Sequence, residues 1–281
     1  MNVVTLVHGR EEHLRNLIRG LEGSTLRPDA LWVVFMNQPT QPLSSSAFPI
    51  HTLEVGEHGK ALPLAMARNS LRPLQDDAPW VFLDVDCIAS SGLLEHYRQA
   101  LQAYPEALHM GEVRYLPPGG ADMPWDEAAL LERAARHPLS QYRPAPGEPM
   151  AHHLFWSLNF ACRGAVFERI GGFDEAYVGY GGEDTDFAFR ARKRGVALRA
   201  ADALAFHQYH DAYDPPLNHF AAIVANARRF YARWQLWPME GWLADFAERG
   251  LIAWHDDRLD VLRPPLPEET QACLNQAHQG F

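Results

Sequence analysis

The chain opens on Val3-Val4-Thr5-Leu6-Val7, an almost unbroken β-branched run that ends at His8-Gly9. A short continuous apolar run of this kind suits a strand covered on both faces. Beyond it Leu14, Leu17, Ile18 and Leu21 recur at i, i+3, i+4 and i+7, with Glu11 and Glu12 in the first turn, where a helix dipole favours acids. A second apolar run from Leu31 to Met36 completes strand, helix, strand, the mark of a right-handed parallel crossover. Asn37 then falls at that strand's carboxyl end, where open α/β sheets bind ligands.

Residues 38–59, rich in Pro, Ser and Gly, read as loop around one short strand near Thr52 to Val55. A helical stretch from Lys60 to Leu71 leads to the strongest strand, Trp80-Val81-Phe82-Leu83, which runs straight into Asp84-Val85-Asp86. Ser90 or Ser91 is placed to cap a helix whose Leu93, Tyr97, Leu101 and Tyr104 share a face. From Pro117 to Pro149 the composition shifts to Pro, Gly, Ala and charge, as in a linker or flexible insertion, with one short helix around Trp125 to Ala135. A second block starts at His152 and carries a glycine-rich stretch, Tyr177 to Gly182. There follow a helix from Glu183 to Arg194 that stops at Gly195, then a strand ending in Phe206-His207. Residues 211–281 read as helical and then proline-rich, with Trp234, Trp237, Trp242 and Trp254.

Composition narrows the function classes. In 281 residues, 47% are hydrophobic and 21% charged, enough apolar material for a sizeable core. The formal net charge of −10 is a poor match to nucleic acid, although a divalent cation bound by carboxylates can still admit a small phosphorylated ligand. Cys87, Cys162 and Cys273 are odd in number and far apart, which fits a reducing compartment and buried small hydrophobes better than a disulfide framework or zinc motif. With no basic segment before an apolar run at the start and no stretch of about 18 apolar residues, the expectation is a soluble cytoplasmic protein.

Three stretches can carry chemistry. In Asp84-Val85-Asp86 the two acids lie two apart and point the same way, so a hard cation such as Mg²⁺ or Mn²⁺ would relieve their repulsion. A solvated strand-end turn is the plainer alternative. In Gly179-Tyr180-Gly181-Gly182-Glu183-Asp184-Thr185-Asp186, Gly181 and Gly182 allow close approach or positive φ and Tyr180 can stack on a flat ligand. Glu183 and Asp184 open a helix whose dipole should keep them ionised as a general base requires. A simple N-cap would need neither the glycines nor the aromatic. In Phe206-His207-Gln208-Tyr209-His210, His207 or His210 can complete a metal site with Asp86. His8 and His13 have no third ligand nearby in sequence and take the plain structural reading, while His152-His153 reads as a polar patch or acceptor contact. No G-x-G-x-x-G, P-loop, G-x-S-x-G or H-E-x-x-H occurs.

The order of these pieces resembles the GT-A fold of nucleotide-sugar glycosyltransferases, in particular the family-2 group and the C-terminal region of β-1,4-galactosyltransferases. The stretches that carry it are Ala67-Arg68-Asn69, FLDVDC at 82–87, LNFACRG at 158–164 and GGFDEAYVGYGGEDTDFAFRARKRG at 171–195. The resemblance implies an α/β, Rossmann-like, mostly parallel sheet flanked by helices over residues 1–210. A nucleotide-binding half would occupy 1–116 and a catalytic half 150–210, with 211–281 as a C-terminal helical extension outside it. It further implies that Asp84 contacts the nucleoside, that Asp86 ligates the Mn²⁺ or Mg²⁺ bridging a diphosphate, and that His207 or His210 completes the metal site. Asp184 would be the catalytic base and Glu183 would help hold the acceptor. Arg10 and Asn37 match positions near base and ribose, but Met36-Asn37-Gln38 stands where an acidic D-x-S-type ending is usual. The function expected on this basis is inverting, metal-dependent transfer of a sugar, galactosyl or N-acetylgalactosaminyl among the candidates. The donor would be a UDP-sugar and the acceptor a hydroxyl of a glycan or small molecule, with no nucleic acid or membrane-spanning partner. A nucleotidyltransferase on a related sheet and a non-catalytic glycan-binding relative are the alternatives. The tryptophan-bearing tail is expected to cover the core, with peripheral membrane or partner contact as its other reading.

Overall fold

A computed structural model of the protein describes residues 1–72 and 78–275. β1 (Asn2–Val7), α1 (Glu11–Glu22) and β2 (Ala30–Met36) form the expected crossover, with β1 and β2 parallel in register Val3↔Leu31. The period-2 alternation of β1 sorts its side chains between two cores. Val4 and Leu6 pack in one cluster with Val34, Trp80 and Phe82, while Val3 and Val7 join Leu14, Leu17 and Ile18 of α1 in the other. That is why the strand needed no polar face.

β3 (Ile50–Val55) extends this parallel set on one side and β4 (Pro79–Leu83) on the other. Helix α2 is shorter than the 60–71 reading: it covers Leu64–Asn69, starting after Pro63. β5 (Cys87–Ala89) and α3 (Leu93–Ala103) follow, and α3 begins at Gly92 with no side-chain cap from Ser90 or Ser91. Tyr104 sits past its end rather than on its buried face.

The sheet then departs from a parallel scheme. β6 (Leu108–Tyr115), α4 (Glu127–Arg133), β7 (Ala135–Arg136), β8 (Asn159–Arg163), α5 (Gly164–Ile170), α6 (Glu183–Lys193) and β9 (Leu198–His207) complete the order β3-β2-β1-β4-β8-β6-β9-β5, with β7 paired to β6. β8 is antiparallel to both β4 and β6, β6 is parallel to β9, and β5 is antiparallel to β9. The reversal at β8 returns β6 and β9 to the direction of β1, β2 and β4. All five therefore end at one edge, and His8, Asn37, Asp84, Tyr115 and His207 lie there.

The 117–149 segment is not a free linker. Its Leu130 is buried with Ile88, Leu116 and Phe206, and β7 adds to the sheet. The tail holds α7 (Phe220–Trp234), α8 (Glu240–Glu248) and α9 (Pro267–Ala272), but also β10 (Ala212–Tyr213), β11 (Ile252–Trp254), β12 (Leu259–Val261) and β13 (Leu274–Asn275), paired as two small ribbons. Most of its apolar residues form their own cluster around Ile223, Leu243 and Phe246, while Phe230 and Trp234 pack with Tyr177 and Phe189. The three cysteines are free and buried. No helix among the described residues is long and apolar enough to cross a membrane.

Candidate active site

β4 delivers Asp84 and Asp86 to the shared sheet edge, and the backbone fixes both. Asp84 N–H donates to Leu158 O at 2.9 Å, and Gln208 N–H donates to Asp86 O at 2.6 Å. The second bond brings the end of β9 onto the acid turn. Ligand atoms of Asp86, His207 and His210 consequently lie within 4.8 Å of one another, and His210 Nε2 is 3.6 Å from Asp86 Oδ2. Both histidines, not one of the two, stand at this carboxylate.

Burial would push the Asp86 carboxyl up, but the hydrogen bond from His13 and the nearby His207, Arg10 and His210 hold it at about 2. Burial drives His207 down to about 4, and it lowers His210 as well. At neutral pH this cluster offers a carboxylate and neutral imidazoles, the forms in which these groups ligate a metal. One oxygen and two nitrogen donors suit Mn²⁺ better than Mg²⁺, which prefers oxygens.

His13 was missed by sequence reasoning. It donates from Nδ1 to Asp86 Oδ1, reaching across from the first turn of α1. No local pattern signals this, because the contact spans 73 residues. Arg10, left-handed at the start of α1 with φ 60°, puts Nε 3.6 Å from Asp86 Oδ1. Asn37 is also left-handed and almost wholly buried, but its Nδ2 donates to Lys60 O and Ala61 O at 2.8 and 3.1 Å. Its amide thus closes the 60–61 loop over the sheet edge, and its buried Oδ1 has no hydrogen-bond partner.

The acids of the glycine-rich element meet Asp84 through one cation. Arg68 of α2, only 4% exposed, lies with Nη1 3.3 Å from Glu183 Oε1 and Nη2 3.6 Å from Asp84 Oδ1, and over the Phe173 ring. Its neighbour Asn69 clamps the approach to the loop, accepting from Phe173 N–H and donating to Phe173 O, both at 2.8 Å.

Burial raises Glu183 to about 7 against the pull of Arg68, with Asp184 adding to the rise. It raises Asp84 to about 6, again opposed by Arg68. Asp184 is raised too, first by burial. The expectation that the helix dipole alone keeps these acids firmly ionised is therefore overturned: desolvation outweighs it. Asp184 accepts Thr185 N–H at 2.7 Å and stays partly exposed, whereas Glu183 is buried.

Gly179, Gly181 and Gly182 all have positive φ, from 76° to 95°. A Cβ on Gly179 would stand 2.8 Å from Ala222 Cβ, and one on Gly181 would stand 2.7 Å from Met239 Sδ. The glycines thus let the loop press against the tail. Asn226 of α7, also missed from sequence, donates from Nδ2 to the carbonyls of Val178, Tyr180 and Gly181 at 3.2, 3.3 and 2.9 Å. The usable signal was a polar residue on the apolar face shared by Ile223, Ala227 and Phe230. One face of Tyr180 is covered by His219 at 4.6 Å, with Trp242 at 5.7 Å. Farther along α6, fully buried Asp186 binds Arg190 at 2.8 Å, Arg233 at 2.8 Å and Trp234 Nε1 at 2.9 Å.

Residues 138–214 match the model of a family described as the N-terminal domain of galactosyltransferase. Over 44 residues the chain is 43% identical to a validoxylamine A glucosyltransferase of Streptomyces hygroscopicus subsp. jinggangensis, a match spanning 16% of this chain and 10% of that enzyme. Among solved structures, GalNAc-T7 crystallised with UDP, GalNAc and Mn²⁺ superposes with a TM-score of 0.53 at 16% identity, covering 74% of this chain and 44% of that one. TarS 1–349 of S. aureus in complex with UDP-GlcNAc gives 0.55 at 12% identity, over 89% of this chain and 72% of that one. The fold is the GT-A fold of glycosyltransferases.

Proposed function

We propose that the protein is a glycosyltransferase that moves a sugar from a nucleotide diphosphate donor, UDP-linked, to an acceptor hydroxyl with inversion at the anomeric carbon. The observation that carries this reading is the joining of the two acid motifs at one sheet edge: Arg68 lies between Asp84 and Glu183 while Asp86 faces His207 and His210. The family match over 138–214 covers the Glu183-Asp184 element and the two histidines. The structural neighbours crystallised with UDP or UDP-GlcNAc support the donor class.

Asp86, His207 and His210 would hold Mn²⁺, which when bound supplies positive charge to offset that of a departing diphosphate. The remaining roles fall to side chains. Asp184, the more exposed of the two acids, takes the proton from the acceptor oxygen as that oxygen attacks the anomeric carbon. Glu183, buried against Arg68, holds the acceptor through its carboxylate and fixes the turn that aims Asp184. Burial raises the pKa of both acids, which makes the pair a better proton acceptor than an ordinary surface carboxylate. Asp84 and Asn37 would contact the nucleoside.

A nucleotidyltransferase would release pyrophosphate, and a binding-only relative would turn nothing over. Calorimetry of UDP, GDP and their sugars with and without Mn²⁺, followed by product analysis, separates the three. The reading requires Mn²⁺-dependent UDP binding that Asp86→Ala removes, and transfer that Asp184→Asn abolishes with the fold intact. Full activity in either variant sinks it.

A further inference from the structure

Beside the acid site a cavity of about 60 Å³ opens between β6 and the chain that crosses it from His137 to Leu158. At roughly 10–15 Å³ per water this is room for about four to six waters, enough to seat part of a six-membered ring from the open side. It adjoins the reaction edge at two points. Its wall residue Leu158 accepts the Asp84 N–H at 2.9 Å, and the ring of its wall residue Tyr115 lies 5.0 Å from that of His207. Aromatic rings line the way in: His137 is 5.7 Å from Tyr115 and meets Trp156 edge-on at 4.6 Å.

Arg143, Glu112 and Asn159, three of the polar side chains that reach the cavity, are engaged by the protein itself. Arg143 Nη2 donates to Met110 O and Ala201 O at 2.6 and 2.8 Å. Glu112 pairs with Arg114 and Arg136 at 2.9 and 3.1 Å, and Asn159 Nδ2 donates to Ala203 O at 2.9 Å. Apart from Ser140 and His137, what faces the space is then mainly aromatic and aliphatic: Trp156, Tyr115, Leu139, Leu154 and Met150. Such a wall rewards burial of apolar ring surface and penalises a charged or hydroxyl-rich guest.

We propose that this cavity is an acceptor subsite: the molecule that receives the sugar carries an aromatic or otherwise apolar ring beyond its reacting hydroxyl, and that ring seats between Trp156 and β6. The inference rests on the glycosyltransferase reading for the word acceptor, but the ring-binding site stands on the cavity alone.

The test uses the full chain with Mn²⁺ and UDP, and measures affinity for 4-fluorophenyl β-glucoside, β-galactoside and β-N-acetylglucosaminide against their methyl counterparts. Fluorine NMR and calorimetry supply the readout. At least one aryl glycoside should bind about tenfold or more tightly than its methyl partner. Trp156→Ala should erase that preference. Leu139→Arg, at a residue 41% exposed, should erase it without touching the core. UDP affinity should not change in either variant. Equal affinity for aryl and methyl forms, or a preference that survives both substitutions, overturns the subsite. UDP binding without an aryl preference refutes this inference alone, and an aryl preference without UDP binding supports the ring site while refuting the donor reading.

Discussion

Asn226 Nδ2 lies 2.9 Å from the carbonyl oxygen of Gly181, so a helix of the C-terminal tail sets the path of the loop that carries Tyr180 and leads into Asp184. Two further loop carbonyls take the same amide. Asn226→Asp keeps the shape but replaces the donor with a carboxylate that faces the same carbonyl oxygens, and should cost about 1–3 kcal/mol of stability because three part-buried carbonyls lose their partner. Thermal unfolding reads that cost. If the loop is held for catalysis, kcat should fall by more than UDP affinity does. A parallel loss of both would show only general softening.

His13→Ala should weaken Mn²⁺ binding by about 10–100-fold, the usual effect of losing a group that orients a metal ligand. His13 donates to Asp86 Oδ1, and that bond helps keep the carboxylate at about 2. Titration of the metal followed by calorimetry measures the change. An unaltered affinity would reduce His13 to a packing residue.

The rate should carry an acid limb near pH 7. Glu183 has its pKa raised by burial to about 7, against an ordinary 4.5, so it is ionised above that pH and takes up a proton as pH falls through it. The sign for stability is opposite to that for rate: a carboxyl with a raised folded pKa favours the folded state when protonated. Its contribution is full below about 4.5 and is lost as pH rises through about 7. Arg68→Met removes the cation that lowers Glu183 and Asp84, so the limb should move to higher pH. A profile of kcat/KM against pH for both proteins decides the matter.

Asp186→Ala should destabilise by about 3–5 kcal/mol, since it strips a fully buried carboxylate from Arg190 and Arg233. A chain of this size should melt about 10 °C lower. UDP affinity of the protein that remains folded should be close to native, because Asp186 faces the tail rather than Asp84.

The parts of the fold that sequence pattern revealed are those where local periodicity and burial agree. β1, α1, β2 and β4 have unbroken apolar runs or a clean i, i+3, i+4, i+7 face, and their bounds fall within a residue or two of the reading. β6 was passed over because Leu108–Tyr115 mixes Glu112 and Arg114 into the strand and breaks register between Met110 and Glu112. β8 is only five residues long and runs directly into α5. In the site, Asp84, Asp86, Glu183 and Asp184 could be read because each sits in a short motif next to a strong element. His13 could not, since the pattern of its helix explains it as surface, and Asn226 left only the weaker trace of a polar residue on an apolar face; the crossing of distant segments gives each its partner.

Gln208 stands between the two histidines and ties its backbone N–H to Asp86 O, while its side-chain Nε2 donates to His13 O at 3.1 Å and its Oε1 accepts from Asn16 at 2.8 Å. Asn16 in turn accepts from Trp125 Nε1 at 3.0 Å. A cation arriving at Asp86 thus meets donors whose positions the chain has already fixed, and little conformational entropy is left for it to remove. Loading and removal of a cation should then leave the protein folded throughout.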